Sequence, residues 1–358
     1  MSTRLEVFVA GYGCVAAPGL CAEALRTAIR GNAPAFRPAP FLIVPALASI
    51  PLGAISRTEW ERLRAGIPSD TGAFTLASRA MLEAQVHAYD ILETIAPERL
   101  GLVLSTTKAG IDLLSTARQS GTIPRDALPW SMAQHLAEDF DCHGPVRCVS
   151  LACTSGVAAM ALGAELIRND RADAVYVIGV DILSDFVVAG FHSLKSIDPA
   201  GCRPFGQGRR GLTPGEAAAA IVLTRANLAN LDLLRVLGWG TSNDANHLTG
   251  PSRDGRGLSL AIERALAHAH VAPGDVGYIN AHGTGTPYND AMESLAVKTV
   301  FGNAPPPVSS TKGLTGHTLG AAGVIESLIC LQTLETGLLP GTAGLDIPDA
   351  GAPSSLLL

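Results

Sequence analysis

Cys153 stands in the segment Val149-Ser150-Leu151-Ala152-Cys153-Thr154-Ser155-Gly156, where an apolar run gives way to an Ala/Leu-rich helical pattern. A helix that begins at a cysteine aims unpaired N–H groups and its positive dipole end at the sulfur. The sequence therefore predicts a thiol drawn below its usual pKa of about 8.5, and a nucleophilic thiolate. The Cys153 N–H is also a candidate oxyanion donor. The small neighbours Ala152, Ser155 and Gly156 leave room for a substrate. Two further segments repeat the logic of a strand followed by a polar turn. His282 lies in Tyr278-Ile279-Asn280-Ala281-His282-Gly283-Thr284-Gly285-Thr286-Pro287. His317 lies in Ser310-Thr311-Lys312-Gly313-Leu314-Thr315-Gly316-His317, before the small-residue run Gly320-Ala321-Ala322-Gly323. Side chains at the carboxyl ends of strands face the crevice in which open α/β sheets bind ligands. Alone, each histidine reads as structural and Lys312 as a solvated surface residue. Equivalent placement with Cys153 makes them one candidate centre.

The elements that must position these residues alternate along the chain. Apolar runs at Leu5–Ala10, Leu100–Ser105, Val146–Leu151, Ala174–Val180 and Ala217–Thr224 read as strands. Helical patterns fall at Leu20–Arg30, Thr75–Ile91, Pro129–Phe140 and Val157–Arg168, and a Pro-rich segment, Pro34 to Pro51, interrupts them. A second series begins at Leu234–Gly240. It continues with helix Leu258–Ala269, strand Val276–Asn280, helix Asp290–Phe301, strand Val308–Ser310 and helix Gly320–Thr336. Alternation of this kind implies mostly parallel sheets with helices on their faces. Two series imply two packed halves. We place the boundary so that 1–232 carries the cysteine and 233–358 carries the His/Lys/His residues, the latter half shortened at its end.

Composition narrows the function classes. The chain has 358 residues, 47% hydrophobic and 16% charged, which excludes a disordered chain. Its net charge of −6 offers no basic surplus for nucleic acid. No uninterrupted apolar run reaches the ~18 residues of a membrane span. The opening residues lack the apolar region of a signal peptide, and the 7 cysteines form no C-x-x-C pair. The expectation is a cytoplasmic protein with reduced thiols. Cys14, Cys21, Cys142, Cys148, Cys202 and Cys330 read as small buried hydrophobes.

The three segments resemble the β-ketoacyl-acyl carrier protein synthases, the elongating condensing enzymes of fatty acid and polyketide synthesis. The resemblance runs from Val7 to about Pro340. It also takes in Val9-Ala10-Gly11-Tyr12-Gly13 and Arg203-Pro204-Phe205 before Gly215-Glu216. It implies a thiolase-like α/β fold, two similar halves with mixed five-stranded sheets in stacked layers, and a dimer. By resemblance, Cys153 takes the acyl chain as a thioester. His282 and His317 bind malonyl-carrier protein, drive decarboxylation and stabilise the enolate. Lys312 supports the histidine pair, and Glu326 resembles its buried carboxylate partner. Asp290 and Glu293 resemble a structural acidic pair, with a solvated helix start as the plain alternative. Phe191 resembles an acyl-pocket aromatic, with ordinary core packing as its alternative. Histidine rather than asparagine at 317 resembles the elongating class. No metal or redox cofactor is implied, because the carrier protein's phosphopantetheine arm brings the acyl and malonyl substrates. The partners implied are acyl carrier protein and a second ketosynthase chain, in a homodimer or heterodimer.

Some features depart from the family pattern. No Gly-Phe-Gly-Gly-type loop follows Pro340, which removes one expected oxyanion N–H, and Ser354–Leu358 is the candidate to replace a final strand. Ser105-Thr106-Thr107-Lys108 stands where a glycine-rich turn is expected, and Gly215-Glu216-Ala217 keeps only part of a Gly-rich motif. Two other readings follow. One is a catalytically weak, chain-length-factor-like partner of another synthase. The other is an acyltransferase of the same fold that does not decarboxylate, or a thiolase, although Cys330 lies in an apolar helix and does not suit a thiolase. Acyl chain length and pathway are left open by the sequence.

Overall fold

The computed structural model describes residues 5–38, 42, 47–67, 69, 71–225, 232–247 and 250–358. Parts of the Pro-rich segment, 39–41 and 43–46, lie outside the described residues. The first half contains β1 (Phe8–Ala16), α1 (Ala22–Gly31), β2 (Arg37–Pro38), β3 (Pro51–Leu52), α2 (Arg57–Arg64), α3 (Gly72–His87) and α4 (Tyr89–Leu92). It continues through β4 (Leu100–Ser105), α5 (Leu114–Ser120), α6 (Pro129–Asp139), β5 (Val146–Val149), α7 (Ser155–Arg168), β6 (Ala174–Asp181), α8 (Asp185–Ser193) and β7 (Ala217–Thr224). The second half contains α9 (Arg256–Ala269), β8 (Ile279–Asn280), α10 (Pro287–Phe301), β9 (Val308–Ser309), α11 (Lys312–Thr315) and α12 (Ala322–Thr336).

The five-stranded sheet has the order β1-β7-β6-β4-β5. β1 and β6 flank β7 antiparallel, whereas β4 runs parallel to both β6 and β5, so the sheet is mixed. β6 and β7 are buried at every position because helices cover both faces. Tyr176, Ile178 and Val180 pack with Phe74, Met81 and Met132 of α3 and α6. The alternate residues Val175 and Val177 pack with Ala159 and Ala164 of α7 and Val324 and Leu328 of α12. The period of two along the strand and the helix stripes above and below thus meet in two apolar layers.

Several expectations change in detail. β1 starts later than Leu5 and runs through Gly11 and Gly13 rather than stopping there, because the helix α3 passes close beneath. A Cβ at Gly13 would lie 2.4 Å from the Ala80 carbonyl oxygen. Leu234–Gly240 is not a strand. It makes a single antiparallel bridge, Phe8 to Arg235, with Val9 N–H donating to Leu234 O at 2.8 Å and Val236 N–H to Val7 O at 3.0 Å. Among the described residues the second half pairs two strands rather than five. They form the parallel pair β8–β9, with partners Ile279/Val308 and Asn280/Ser309. The chain end touches that pair through a single parallel bridge, Val308 to Leu356, and Ser354–Leu358 does not form the replacement strand expected of it. Val308 N–H donates to Ser355 O at 3.1 Å, and Leu357 N–H donates to Val308 O at 2.8 Å. No helix among the described residues is long and apolar enough to cross a membrane.

α7 and α12 touch backbone to backbone. A Cβ built at Gly156 would lie 2.7 Å from the amide nitrogens of Gly323 and Val324, and one at Gly323 would lie 2.5 Å from that of Val157. Neither helix can retreat without opening the apolar layer beneath the sheet. Gly156→Ala is therefore expected to cost about 1–3 kcal/mol of stability, read as a lowered denaturation midpoint. An unchanged midpoint would mean that the two helices separate freely.

Candidate active site

Cys153 precedes α7 rather than opening it. The helix starts at Ser155, with Thr154 at its N-cap. Ala152 has a left-handed φ of +51°, and the Ser155 hydroxyl donates to Ala152 O at 2.6 Å while accepting from Leu151 N–H at 2.7 Å. This tight turn lifts Cys153 toward the second half. There His317 Nε2 lies 2.8 Å from Cys153 Sγ. The His282 and His317 rings meet edge to face, 5.3 Å apart and 87° inclined. One ligand-type atom from each of Cys153, His282 and His317 lies within 4.8 Å of the others.

Backbone and carboxylates fix this group. His282 follows β8, and Glu293 of α10 accepts the His282 N–H at 2.6 Å and the Gly283 N–H at 2.7 Å. Asp290, one turn earlier, accepts from Thr284, Gly285 and Phe205 N–H at 3.1, 3.2 and 2.8 Å. Both carboxylates are buried, so the solvated helix start does not hold for them. His317 is not at a strand end. Seven residues, 310–316, lie between it and β9, and α11 occupies four of them. Lys312 is not a surface residue either. It is 1% exposed and forms an ion pair with Glu326 of α12. Phe191 on α8 packs against an apolar cluster that includes Leu52, Leu183, Val187, Val188 and Leu319. Leu319 joins that cluster to the His317 loop.

The electrostatics correct one expectation. Burial pushes the Cys153 thiol up rather than down, against the opposing charges of Lys312 and Lys108. The sulfur sits two residues ahead of the helix and under cover, so desolvation of the thiolate outweighs the nearby cations. Burial, reinforced by Lys312, also holds His282 and His317 well below the ordinary imidazole range. The resting group is therefore a neutral thiol beside two neutral imidazoles. Leu319 N–H donates to His317 Nδ1 at 3.3 Å, which leaves the ring proton on Nε2, facing the sulfur. The arrangement offers a sulfur nucleophile and an imidazole N–H donor to one small volume.

Sequence reading missed Asp181, the acidic end of the apolar strand β6. It also missed the proximity of Lys108 to the centre, whose charge bears on both Cys153 and His317. A carboxylate closing an apolar strand is the same strand-end signal that singled out His282, and it would have found Asp181.

Burial pushes the Glu293 carboxyl up to about 7, with Asp290 adding to the shift and the Gly283 and His282 N–H groups opposing it. Its contribution to stability is therefore present below the unfolded value of about 4.5 and lost as pH rises through about 7. The two depressed histidines pull the opposite way below their unfolded value. The comparison that isolates Glu293 is wild type against Glu293→Gln. Between pH 5 and 7 the stability difference between them is expected to shrink by about 1.4 kcal/mol per unit. Parallel urea-unfolding profiles for the two proteins would contradict this.

Comparison with known proteins places the geometry. The family model of the beta-ketoacyl synthase N-terminal domain matches residues 73–229, and that of the C-terminal domain matches 233–346. The chain is 39% identical over 235 residues to the tetracenomycin polyketide synthase ketoacyl synthase alpha subunit of Streptomyces glaucescens, covering 62% of this chain and 55% of that one. It is 34% identical over 278 residues to 3-oxoacyl-[acyl-carrier-protein] synthase 2 of Vibrio cholerae, covering 71% and 67%. A structure of a ketosynthase in complex with its chain length factor from Xenorhabdus doucetiae superposes with a TM-score of 0.84 at 29% identity, covering 100% of this chain and 92% of that one. The matches span little more than half the length of the first two curated relatives, 55% and 56%. Both halves match in order, and the fold is that of solved ketosynthases. The chain belongs to the β-ketoacyl synthase family and has its thiolase-like α/β fold.

Proposed function

We propose that this chain is a β-ketoacyl-acyl carrier protein synthase, an acyltransferase that condenses an acyl thioester on Cys153 with malonyl-carrier protein in fatty acid or polyketide synthesis. The observation that carries the reading is the 2.8 Å contact between His317 Nε2 and Cys153 Sγ, with His282 beside it. In the first half-reaction the Cys153 sulfur attacks the acyl thioester, and its proton leaves with the carrier arm's thiol. The Cys153 N–H donates to the tetrahedral oxyanion. In the second, the malonyl group loses CO₂, and the electrons of the broken C–C bond form an enolate. The Nε2–H of His317 and the ring of His282 donate to the enolate oxygen. The enolate carbon then attacks the acyl carbonyl and expels the Cys153 sulfur as a thiolate, which takes a proton from solvent to restore the resting thiol, leaving a 3-oxoacyl group on the carrier arm.

The other residues support that centre. Lys312, paired with Glu326, disfavours a charged imidazole and so keeps both histidines as neutral donors. Asp290 and Glu293 hold the loop that carries His282. Phe191 walls the acyl chain. The phosphopantetheine arm of acyl carrier protein brings both substrates, and the electron balance of these steps calls for no cofactor of the protein's own. We place the functional division at 1–232 and 233–358, with each half supplying part of the centre. β5 ends the sheet as an edge strand, which suits pairing with a second ketosynthase chain in a homodimer or heterodimer. The alternative of a catalytically weak, chain-length-factor-like subunit draws on the heterodimeric structural neighbour. An assembled sulfur–imidazole group favours the active reading over it.

The test is intact mass after incubation with a medium-chain acyl-carrier protein. Wild type is expected to gain one acyl mass and Cys153→Ala none. His317→Asn is expected to keep the adduct but to lose condensation by roughly 10²–10³-fold. A folded wild type without adduct would favour the partner-subunit reading instead.

A further inference from the structure

Asp181 closes β6 and is 1% exposed. Its carboxylate is a knot between two segments that are far apart in sequence. From the turn after β4 it accepts the Thr106 hydroxyl at 2.9 Å, the Thr107 hydroxyl at 2.7 Å, the Thr107 N–H at 3.0 Å and the Lys108 N–H at 3.2 Å. From the loop after His317 it accepts the Gly320 N–H at 2.7 Å. Three of these partners are backbone N–H groups, which can only donate, so the carboxylate oxygens are the acceptors that hold both segments.

The Gly320 end of this knot bears on the active centre. Gly320 is gripped twice, since its carbonyl also accepts the Ser105 hydroxyl at 2.6 Å. The approach is close enough that a Cβ at Gly320 would lie 2.8 Å from Asp181 Oδ2 and 2.9 Å from the Thr107 nitrogen. The residue just before it, Leu319, has a left-handed φ of +56°. For a leucine this conformation is strained and persists only where the surroundings enforce it. The Leu319 N–H is the donor to His317 Nδ1 at 3.3 Å. Release of the Leu319–Gly320 peptide would let Leu319 relax and swing that N–H away from the ring.

We propose that Asp181 is a positioning residue for His317: its carboxylate fixes the Leu319–Gly320 backbone and so holds His317 as the Nε2–H tautomer facing Cys153. The same knot anchors the departure from family pattern at Thr106–Lys108. There the Lys108 ammonium donates to the Thr107 hydroxyl at 2.8 Å, on the Cys153 side of the fold. The turn and the histidine loop are thus set by one carboxylate. The kinetic consequence rests on the proposed condensing function, whereas the tautomer does not.

The experiment is ¹⁵N NMR of histidine-labelled protein, with the His317 signals identified by their loss in His317→Asn. Wild type is expected to show His317 as a neutral Nε2–H ring. Asp181→Asn keeps the size of the side chain but cannot accept all of these donors, and is expected to show a mixture of both tautomers. In the same variant, acylation of Cys153 is expected to stay within about threefold and condensation to fall at least tenfold, since only the second step uses the donor. Thr107→Val, which leaves the Gly320 contact in place, is expected to keep the single tautomer. A folded Asp181→Asn with an unmixed Nε2–H ring overturns the proposal. If that variant does not fold, Asp181→Ser, whose short side chain leaves the Gly320 N–H without its carboxylate acceptor, decides in the same way: mixed tautomers support the proposal, an unmixed ring overturns it. A wild type that never condenses would sink the condensing function, while the NMR result would still decide the role of Asp181.

Discussion

The backbone contact between α7 and α12 brings the Cys153 turn and the His317 loop together. Cys153 and His317 are 164 residues apart in the chain. They meet because Gly156 and Gly323, in the first turns of α7 and α12, let the two helices touch without side chains between them. Those helices share one apolar layer with the alternate residues of β6 and β7. The energy that holds the sulfur beside the imidazole is thus mostly the burial of aliphatic side chains well away from it. The thiol and the imidazoles contribute little to the fold and are positioned by it.

Within that frame, burial rather than attraction sets the protonation states. The Cys153 thiol is pushed up and both imidazoles are pushed down, all with desolvation as the largest cause. A neutral thiol and neutral N–H donors are easier to bury than a thiolate–imidazolium pair. They also suit chemistry in which charge appears only as bonds change, because preorganised donors then act on the transition state more than on the resting enzyme. The one full charge pair placed beside them, Lys312 with Glu326, is satisfied internally, so its positive field reaches the histidines without requiring water. Asp290, Glu293 and Asp181 repeat one device: a buried carboxylate accepting several backbone N–H groups holds a loop that would otherwise carry unpaired donors.

Much of the first half was legible in the sequence, and the reason is periodicity. Leu100–Ser105 and Ala217–Thr224 coincide with the observed strands because continuous apolar runs bounded by polar turns admit little else. Leu234–Gly240 misled because a short apolar segment also suits a chain that lies along the β1 edge with two hydrogen bonds. The residues of the candidate site were legible through the resemblance of their motifs. Their environment was not. The sequence places Cys153 at a helix start and so predicts a lowered pKa, but it cannot reveal that Ala152 turns left-handed and carries the sulfur under cover. Lys312 reads as solvated until α12 is folded over it. The strand-end position of Asp181 was legible, but its role was not, because its partners lie in a turn some 75 residues before it and in a glycine loop 139 residues after it.

The central claim is that Cys153, His282 and His317 form one centre that makes a carbon–carbon bond by decarboxylation. The most direct measurement follows the carbon. The protein is loaded on Cys153 with an acyl group, then given malonyl-carrier protein labelled in its free carboxylate. The account predicts one equivalent of labelled CO₂ for each 3-oxoacyl group formed on the carrier, with neither product from Cys153→Ala. Acyl-loaded wild type that neither releases labelled CO₂ nor extends the chain would contradict it.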